Sequence, residues 1–365
     1  MITQVKTNRL LAFSLLLVAT FAQAQTRDTV ASLINAGLNP AGIGISPNGR
    51  FAYIPNQNVN GFEGQDSISV INLDDNGALV KTITDSTFNE PSSVVFNSTG
   101  TKAYVTNENG TSITVLNPAT NQITASITGF QGPSRMVIAP NNRIGYVINS
   151  GTDTAPGNTL DVVDLINNTI TQSITLPQTP TNLAISRTGA FVYVVNSVPS
   201  SSTSPSDMDS LSIIRTSDNT VAGTVTGFSG PSDIALSANG QFAYVTNMGS
   251  DDLDPIGSTV SVVNLNTRMI VDTINVGIQP SSIAITPNGR YAYVTNMNDL
   301  SGNPDFPGVV PGQSTVSIIR LSDNKVISPT IPVGQGASDI TITRDGYALV
   351  SNDLSNTVSV IRVRG

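Results

Sequence analysis

Twelve of the chain's 25 carboxylates fall in stretches with almost no Lys or Arg beside them: Glu63, Asp66, Glu108, Asp153, Asp207, Asp209, Asp251, Asp252, Asp254, Asp299, Asp305 and Asp353. Carboxylates and carbonyls gathered on a flexible loop suit a hard cation such as Ca²⁺. The densest group is Gly249-Ser250-Asp251-Asp252-Leu253-Asp254, so Asp251, Asp252 and Asp254 form the candidate metal-binding loop. It lacks the ligand spacing of an EF-hand. A solvated acidic loop that keeps the protein dispersed is the competing reading, and no cofactor is required by anything else in the sequence.

Composition removes most other chemistries. There is no His, Cys or Trp. Nucleophilic triads built on His, imidazole acid–base catalysis, thiolate metal sites and disulfides are therefore excluded. Haem and quinone electron carriers lose their customary ligands and stacking groups. The net charge is −8, which argues against a nucleic-acid partner, because that affinity comes from cations neutralising phosphates. Aromatics are 5% of residues, too few to favour a glycan surface built on stacking.

The N-terminus reads as an export signal. Lys6 and Arg9 precede an apolar run from Leu10 to Phe21, followed by Ala22-Gln23-Ala24. A run of 12 residues is short of the ~20 needed to span a bilayer, so cleavage is expected after Ala24. Residues 25–365 then form one domain, without a transmembrane segment, located in the periplasm, outside the cell or on its surface. Monomers are expected.

What must position any site is a repeat. PSSIAITPNGRYAYVTN begins at Pro280, and related phrases begin at Pro40, Pro91, Pro133, Pro180, Pro231 and Ala337, 42 to 57 residues apart. Each is followed by a second run such as TVSVVNL at 259 and a third such as IVDTINV at 270. Every repeat but the last thus holds four β-branched segments, strands A to D. In the sixth they are Ser282–Ile285, Tyr291–Thr295, Thr315–Ile319 and Lys325–Ile331. Gly49, Gly100, Gly189, Gly240, Gly289 and Gly346, with Asn142, close the A–B turn, where a hairpin requires positive φ. The strands are apolar along much of their length, as sheets covered on both faces require. Four-stranded units at this period predict an all-β, seven-bladed propeller. The last repeat lacks strand D, and DTVASLIN from Asp28 matches the stretch from Asp323, so residues 29–34 should complete the seventh blade and close the ring.

The repeats resemble those of the YVTN-family propellers. Tyr104–Asn107, Tyr244–Asn247 and Tyr293–Asn296 carry the motif, with altered forms at Tyr53–Asn56, Tyr146–Asn149, Tyr193–Asn196 and Leu349–Asn352. The resemblance implies an exported or surface-layer-like bacterial propeller and leaves function to be argued from a site.

Asn56, Asn107, Asn149, Asn196, Asn247, Asn296 and Asn352 recur in every repeat. A residue that every blade needs is most simply a fixture of the blade, its amide satisfying backbone groups at the strand end. Departures from the repeat are more informative. The B–C connection grows from four or five residues in blades 2 and 7 to 12–18 in blades 4 to 6, and long loops on a rigid scaffold commonly carry function. This acidic face is the candidate binding surface, through Glu63, Asp66, Asp153, Asp207, Asp209, Asp299, Asp305 and the apolar Phe306. The sequence reads as a non-catalytic binding module for a protein or cell-surface ligand. The alternative is a cation-dependent, lactonase-like hydrolase with its site at the channel mouth of the same face.

Overall fold

The computed structural model describes residues 28–58, 66–75, 77–152, 155–198, 208–249, 257–298 and 313–364. They form seven four-stranded antiparallel sheets. The innermost strands are Gly44–Ile45, Pro91–Phe96, Pro133–Ile138, Thr179–Ile185, Pro231–Leu236, Pro280–Ile285 and Ala337–Ile342. Inner strands of successive blades touch, which sets them around a central channel. In the sixth blade the following strands are Tyr291–Asn296, Thr315–Arg320 and Lys325–Pro332. No helix among the described residues is long and apolar enough to cross a membrane.

Burial explains the sequence pattern. The second strand of each blade lies between two neighbouring sheets, so Phe242–Asn247 and Tyr291–Asn296 are buried beyond their first residue. The outermost strands alternate instead, and much of Gln122–Thr128 and Met269–Asn275 is exposed. Continuous apolarity therefore holds for the middle strands and fails for the outer ones. The hydrophobic core is divided into seven clusters, each shared by two adjacent blades. Large and small residues interlock across these interfaces. Tyr53 packs in one cluster with Ala103, Tyr193 with Ala243, Tyr244 with Ala292 and Tyr293 with Ala348. The Ala-Tyr dipeptide of the repeat is thus a socket for one neighbour beside a knob for the other.

The A–B turns take the backbone form their sequence demands, with φ of 68° at Gly289 and 57° at Asn142. Blade 3 departs from its neighbours on the opposite face. Its second and third strands, Ile144–Thr152 and Ala155–Asp164, keep pairing as far as Thr152 and Ala155.

Ring closure follows the expected route. Val30–Asn35 pairs with Thr357–Arg362 as the outer strand of blade 7. The alignment of Asp28 with Asp323 is corrected by one residue. Val30 lies opposite Ile361 as Val326 lies opposite Ile319, so Asp28 corresponds to Asn324. Both have positive φ, 60° and 53°. In blades 2, 4 and 6 an Asn at this turn accepts a hydrogen bond from a tyrosine of the preceding blade: Asn121 from Tyr53, Asn219 from Tyr146 at 3.1 Å and Asn324 from Tyr244 at 3.3 Å. Asp28 does the same for Tyr293 at 2.7 Å, and pairs with Arg364 across the gap between the chain's two ends. A carboxylate takes the Asn position where a guanidinium is available to balance it.

Candidate functional site at the central channel

The first residue of an inner strand pairs with the Asn that ends the second strand, as Pro231 does with Asn247. The register then slips, so that Asp233 rather than Ser232 faces Thr246, and the same slip occurs before Arg135, Ser282 and Asp339. Such a bulge re-aims the side chains that follow. Third positions around the ring are Gly42, Ser93, Arg135, Asn182, Asp233, Ser282 and Asp339. They lie two residues, roughly 7 Å, inside the face from which the B–C connections leave.

Second positions form a belt between blades. Thr181 Oγ1 donates to the Pro231 carbonyl (3.0 Å), Ser232 Oγ to Pro280 (2.8 Å) and Ser281 Oγ to Ala337 (2.6 Å). The Pro-Ser start of the repeat therefore builds the channel wall.

Third positions differ from blade to blade, and four of them form a charged group. Asp233 is 7% exposed. Its Oδ2 accepts from Ser282 Oγ at 2.6 Å and from the Ile283 amide at 2.8 Å, both in the next blade. Burial pushes its carboxyl up to about 6; these hydrogen bonds oppose the rise and the Asp339 charge adds to it. Asp339 Oδ2 accepts from the Ile43 amide at 2.9 Å, while its Oδ1 lies 3.4 Å from Ser282 Oγ. Arg135 belongs to blade 3 and Asp339 to blade 7, so the guanidinium crosses the channel to bring Nη2 within 3.9 Å of Asp339 Oδ1. It also donates to the Ser92 carbonyl at 3.4 Å. A closed ion pair would stand at ~2.8 Å, so these two groups face each other with bonding capacity unspent. One cation and a carboxylate oxygen held apart in a walled channel can together grip a polarised carbonyl or a carboxylate.

Of the residues singled out from sequence, those that the structure describes hold the backbone and strands of the blades. All seven repeat asparagines are buried. In six blades the Nδ2 donates to the third residue of the third strand, for example to Ser69 Oγ at 3.0 Å from Asn56 and Thr114 Oγ1 at 3.1 Å from Asn107. In blade 3 the acceptor is the buried Asp161, 2.8 Å from Asn149. Asn56 Oδ1 also accepts from the Gly37 amide at 2.9 Å. These contacts tie strands within a blade and direct no amide into the channel. Asp66 and Asp209 are braces: Asp66 accepts from the Asn58 amide (2.7 Å) and the Glu90 amide (2.8 Å), and Asp209 from Val198 (2.7 Å) and Gly230 (2.6 Å). Each fastens a B–C connection to the entry of the next blade. Glu63, Asp153, Asp207, Asp251, Asp252, Asp254, Asp299, Asp305 and Phe306 lie outside the described residues. Among the described residues no group of three or more His, Cys, Asp or Glu could hold a metal ion.

Loop length, the departure that marks the B–C face, carries no trace of the channel group. Its signal is the residue after Pro-Ser or Pro-Thr, which runs Ser, Arg, Asn, Asp, Ser from blade 2 to blade 6 within an otherwise uniform phrase.

A family model described as "Lactonase, 7-bladed beta-propeller" matches residues 8–140 and 137–303. The PE-PGRS family protein PE_PGRS18 of Mycobacterium tuberculosis is 42% identical over 59 residues, 16% of this chain and 13% of its own length. The match spans about an eighth of that relative. Among solved structures, hydrazine synthase of Kuenenia stuttgartiensis aligns with a TM-score of 0.71 at 19% identity, covering 90% of this chain and 97% of the other. A chain of the mitotic checkpoint complex aligns with the same TM-score at 14% identity, covering 100% of both. At such identities the likeness is one of fold.

Proposed function

Because the chain belongs to the lactonase family of seven-bladed β-propellers, we propose that it opens a small lactone by hydrolysis in the central channel. The observation that carries this reading is the unclosed approach of Arg135 to Asp339, at 3.9 Å. In this reading the Arg135 guanidinium donates to the lactone carbonyl and stabilises the oxyanion that forms on it. Asp339 Oδ1 takes a proton from the attacking water. The new bond joins that water oxygen to the carbonyl carbon. The ring C–O bond then breaks, and the departing alkoxide takes back the proton that Asp339 holds, leaving a hydroxy acid and the Asp339 carboxylate. Asp233 and Ser282 hold Asp339 and the next inner strand in place and do not touch the substrate.

Acid release from a panel of γ- and δ-lactones, followed at constant pH with the purified protein, tests this reading. Saturable release above the spontaneous rate supports it, and none across the panel counts against it.

A second reading, an exported non-catalytic module that binds a protein or cell-surface ligand, is favoured by the B–C connections, which vary more between blades than any other part of the repeat. Export itself is proposed on the sequence of residues 1–24 and is read by N-terminal sequencing of the mature protein. Binding of Ca²⁺ by Asp251, Asp252 and Asp254 is likewise proposed on sequence, and predicts a melting temperature lowered by EDTA and restored by Ca²⁺.

A further inference from the structure

On the face opposite the B–C connections, a groove of about 680 Å³ opens between blades 5 and 6. Phe242 and Tyr244 of blade 5 and Arg290, Tyr291, Arg320 and Asn324 of blade 6 line it. Its volume lies within the ~300–1,000 Å³ usual for small-molecule sites.

A groove also opens at the equivalent place between blades 7 and 1, lined there by Tyr347, Leu349 and Leu73, so what is particular to blades 5 and 6 is the side-chain set. Tyr291 and Arg320 are directly paired across the strands, and Arg290 precedes Tyr291, so one tyrosine stands between two arginines. The equivalent positions elsewhere break this set. Blade 1 has Arg50 and Phe51 opposite Asn72, blade 4 has Ala190 and Phe191 opposite Arg215, and blade 7 has Gly346 and Tyr347 opposite Arg362. In blade 5 the neighbouring wall carries Gln241 and Ala238, so no cation or carboxylate of that turn competes for the space. A fixture of the repeat would recur, and this arrangement does not.

The charges are available to a ligand. Arg290 is exposed and its side chain makes no ion pair among the described residues. Arg320 is held by Asp323 in a two-pronged contact, Nε to Oδ1 at 2.8 Å and Nη2 to Oδ2 at 2.7 Å, which fixes its plane. The other carboxylate nearby, Asp272, accepts from Asn324 Nδ2 at 2.8 Å. Two half-buried aromatic rings, Phe242 and Tyr291, and one guanidinium without an ion pair face a space open to solvent, with the buried Tyr244 at its floor.

We propose that this groove binds a small aromatic carboxylate, its charge on Arg290 and its ring between Phe242 and Tyr291. Arg–carboxylate contacts supply orientation, and offset or edge contacts between rings supply the remainder. The site is independent of the channel and of the lactone reading.

Isothermal titration with 4-hydroxybenzoate tests the proposal, with acetate and phenol as the charge-only and ring-only probes. One site per chain is expected, weakened tenfold or more by Arg290→Ala, weaker for both partial probes, and unchanged by Arg135→Ala. Circular dichroism and melting of the Arg290→Ala protein should match the parent, since the side chain is exposed. Absence of saturable binding at millimolar concentration overturns the proposal. So does equal binding by Arg290→Ala, equal binding of acetate or phenol, or a loss confined to Arg135→Ala.

Discussion

The guanidinium of Arg135 occupies the space that a β-carbon on residue 42 would fill. Nη1 is the atom such a carbon would meet first, and the Ser92 carbonyl would lie 2.7 Å from it. Gly42 thus gives Arg135 its route across the channel to Asp339. Two residues from blades 1 and 3, separated by most of a hundred positions in sequence, define one feature of the site.

Substitution of that glycine should therefore act on the site as well as the fold. Gly42→Ala is expected to cost about 1–3 kcal/mol through overpacking and to turn the guanidinium away from Asp339. Denaturant midpoints read the first effect. Loss of lactone hydrolysis larger than the stability change explains would read the second, and a variant with parental activity would show that the passage over Gly42 is dispensable.

Stability should carry a signature of Asp233. Its folded carboxyl titrates near 6, above the unfolded value of 3.8, chiefly through burial. The folded state then holds more protons between those values, so this group's contribution is fully present below 3.8 and is lost as pH rises through 6. The expected loss is on the order of 3 kcal/mol. Asp233→Asn removes it, so the parent should lose stability relative to the variant between pH 4 and pH 7. Parallel stability profiles for the two proteins would contradict the assignment.

The repeat asparagines predict a different phenotype. Asn107 donates to the Ser112 carbonyl at 3.0 Å and to Thr114 at 3.1 Å, and accepts from the Asn89 amide at 3.2 Å. Asn107→Ala should cost about 1–3 kcal/mol by leaving buried groups unpaired, with hydrolysis per folded molecule unchanged. Activity lost without a stability change would instead make the asparagines part of a ligand ring.

Much of this was legible in the sequence, and the remainder shows why some was not. The blade count, the turn glycines and the closing strand follow from residues that recur, because recurrence reports what every blade needs. Asp28 was placed one residue out because Asp323 shares its chemical type, whereas the backbone requires a residue at positive φ and a tyrosine acceptor, which Asn324 supplies. Asp66 and Asp209 read as free charges on a face, and serve as acceptors for backbone amides that no local pattern announces. The Arg135–Asp339 approach joins the third and seventh repeats, a pairing that only closure of the ring creates.

The latch at that closure has its own consequence. Asp28 accepts from Tyr293 at 2.7 Å and pairs with Arg364. Asp28→Ala should lower stability by about 1.5–3 kcal/mol, the range for hydrogen bonds to charged groups. Asp28→Asn should lose less, since Asn fills this position in blades 2, 4 and 6. Equal losses would mean that the ion pair, rather than the tyrosine contact, holds the ring shut.

The central claim is that Arg135 and Asp339 perform lactone opening in the channel. The measurement that bears on it most directly is kcat/KM for the best lactone of the panel, in the parent, Arg135→Ala and Asp339→Asn proteins, each with its melting temperature. Removal of an oxyanion donor predicts a fall of roughly 10²–10³ for Arg135→Ala, a comparable fall for Asp339→Asn, and folded protein in both cases. Hydrolysis that persists undiminished in both folded variants would contradict the account.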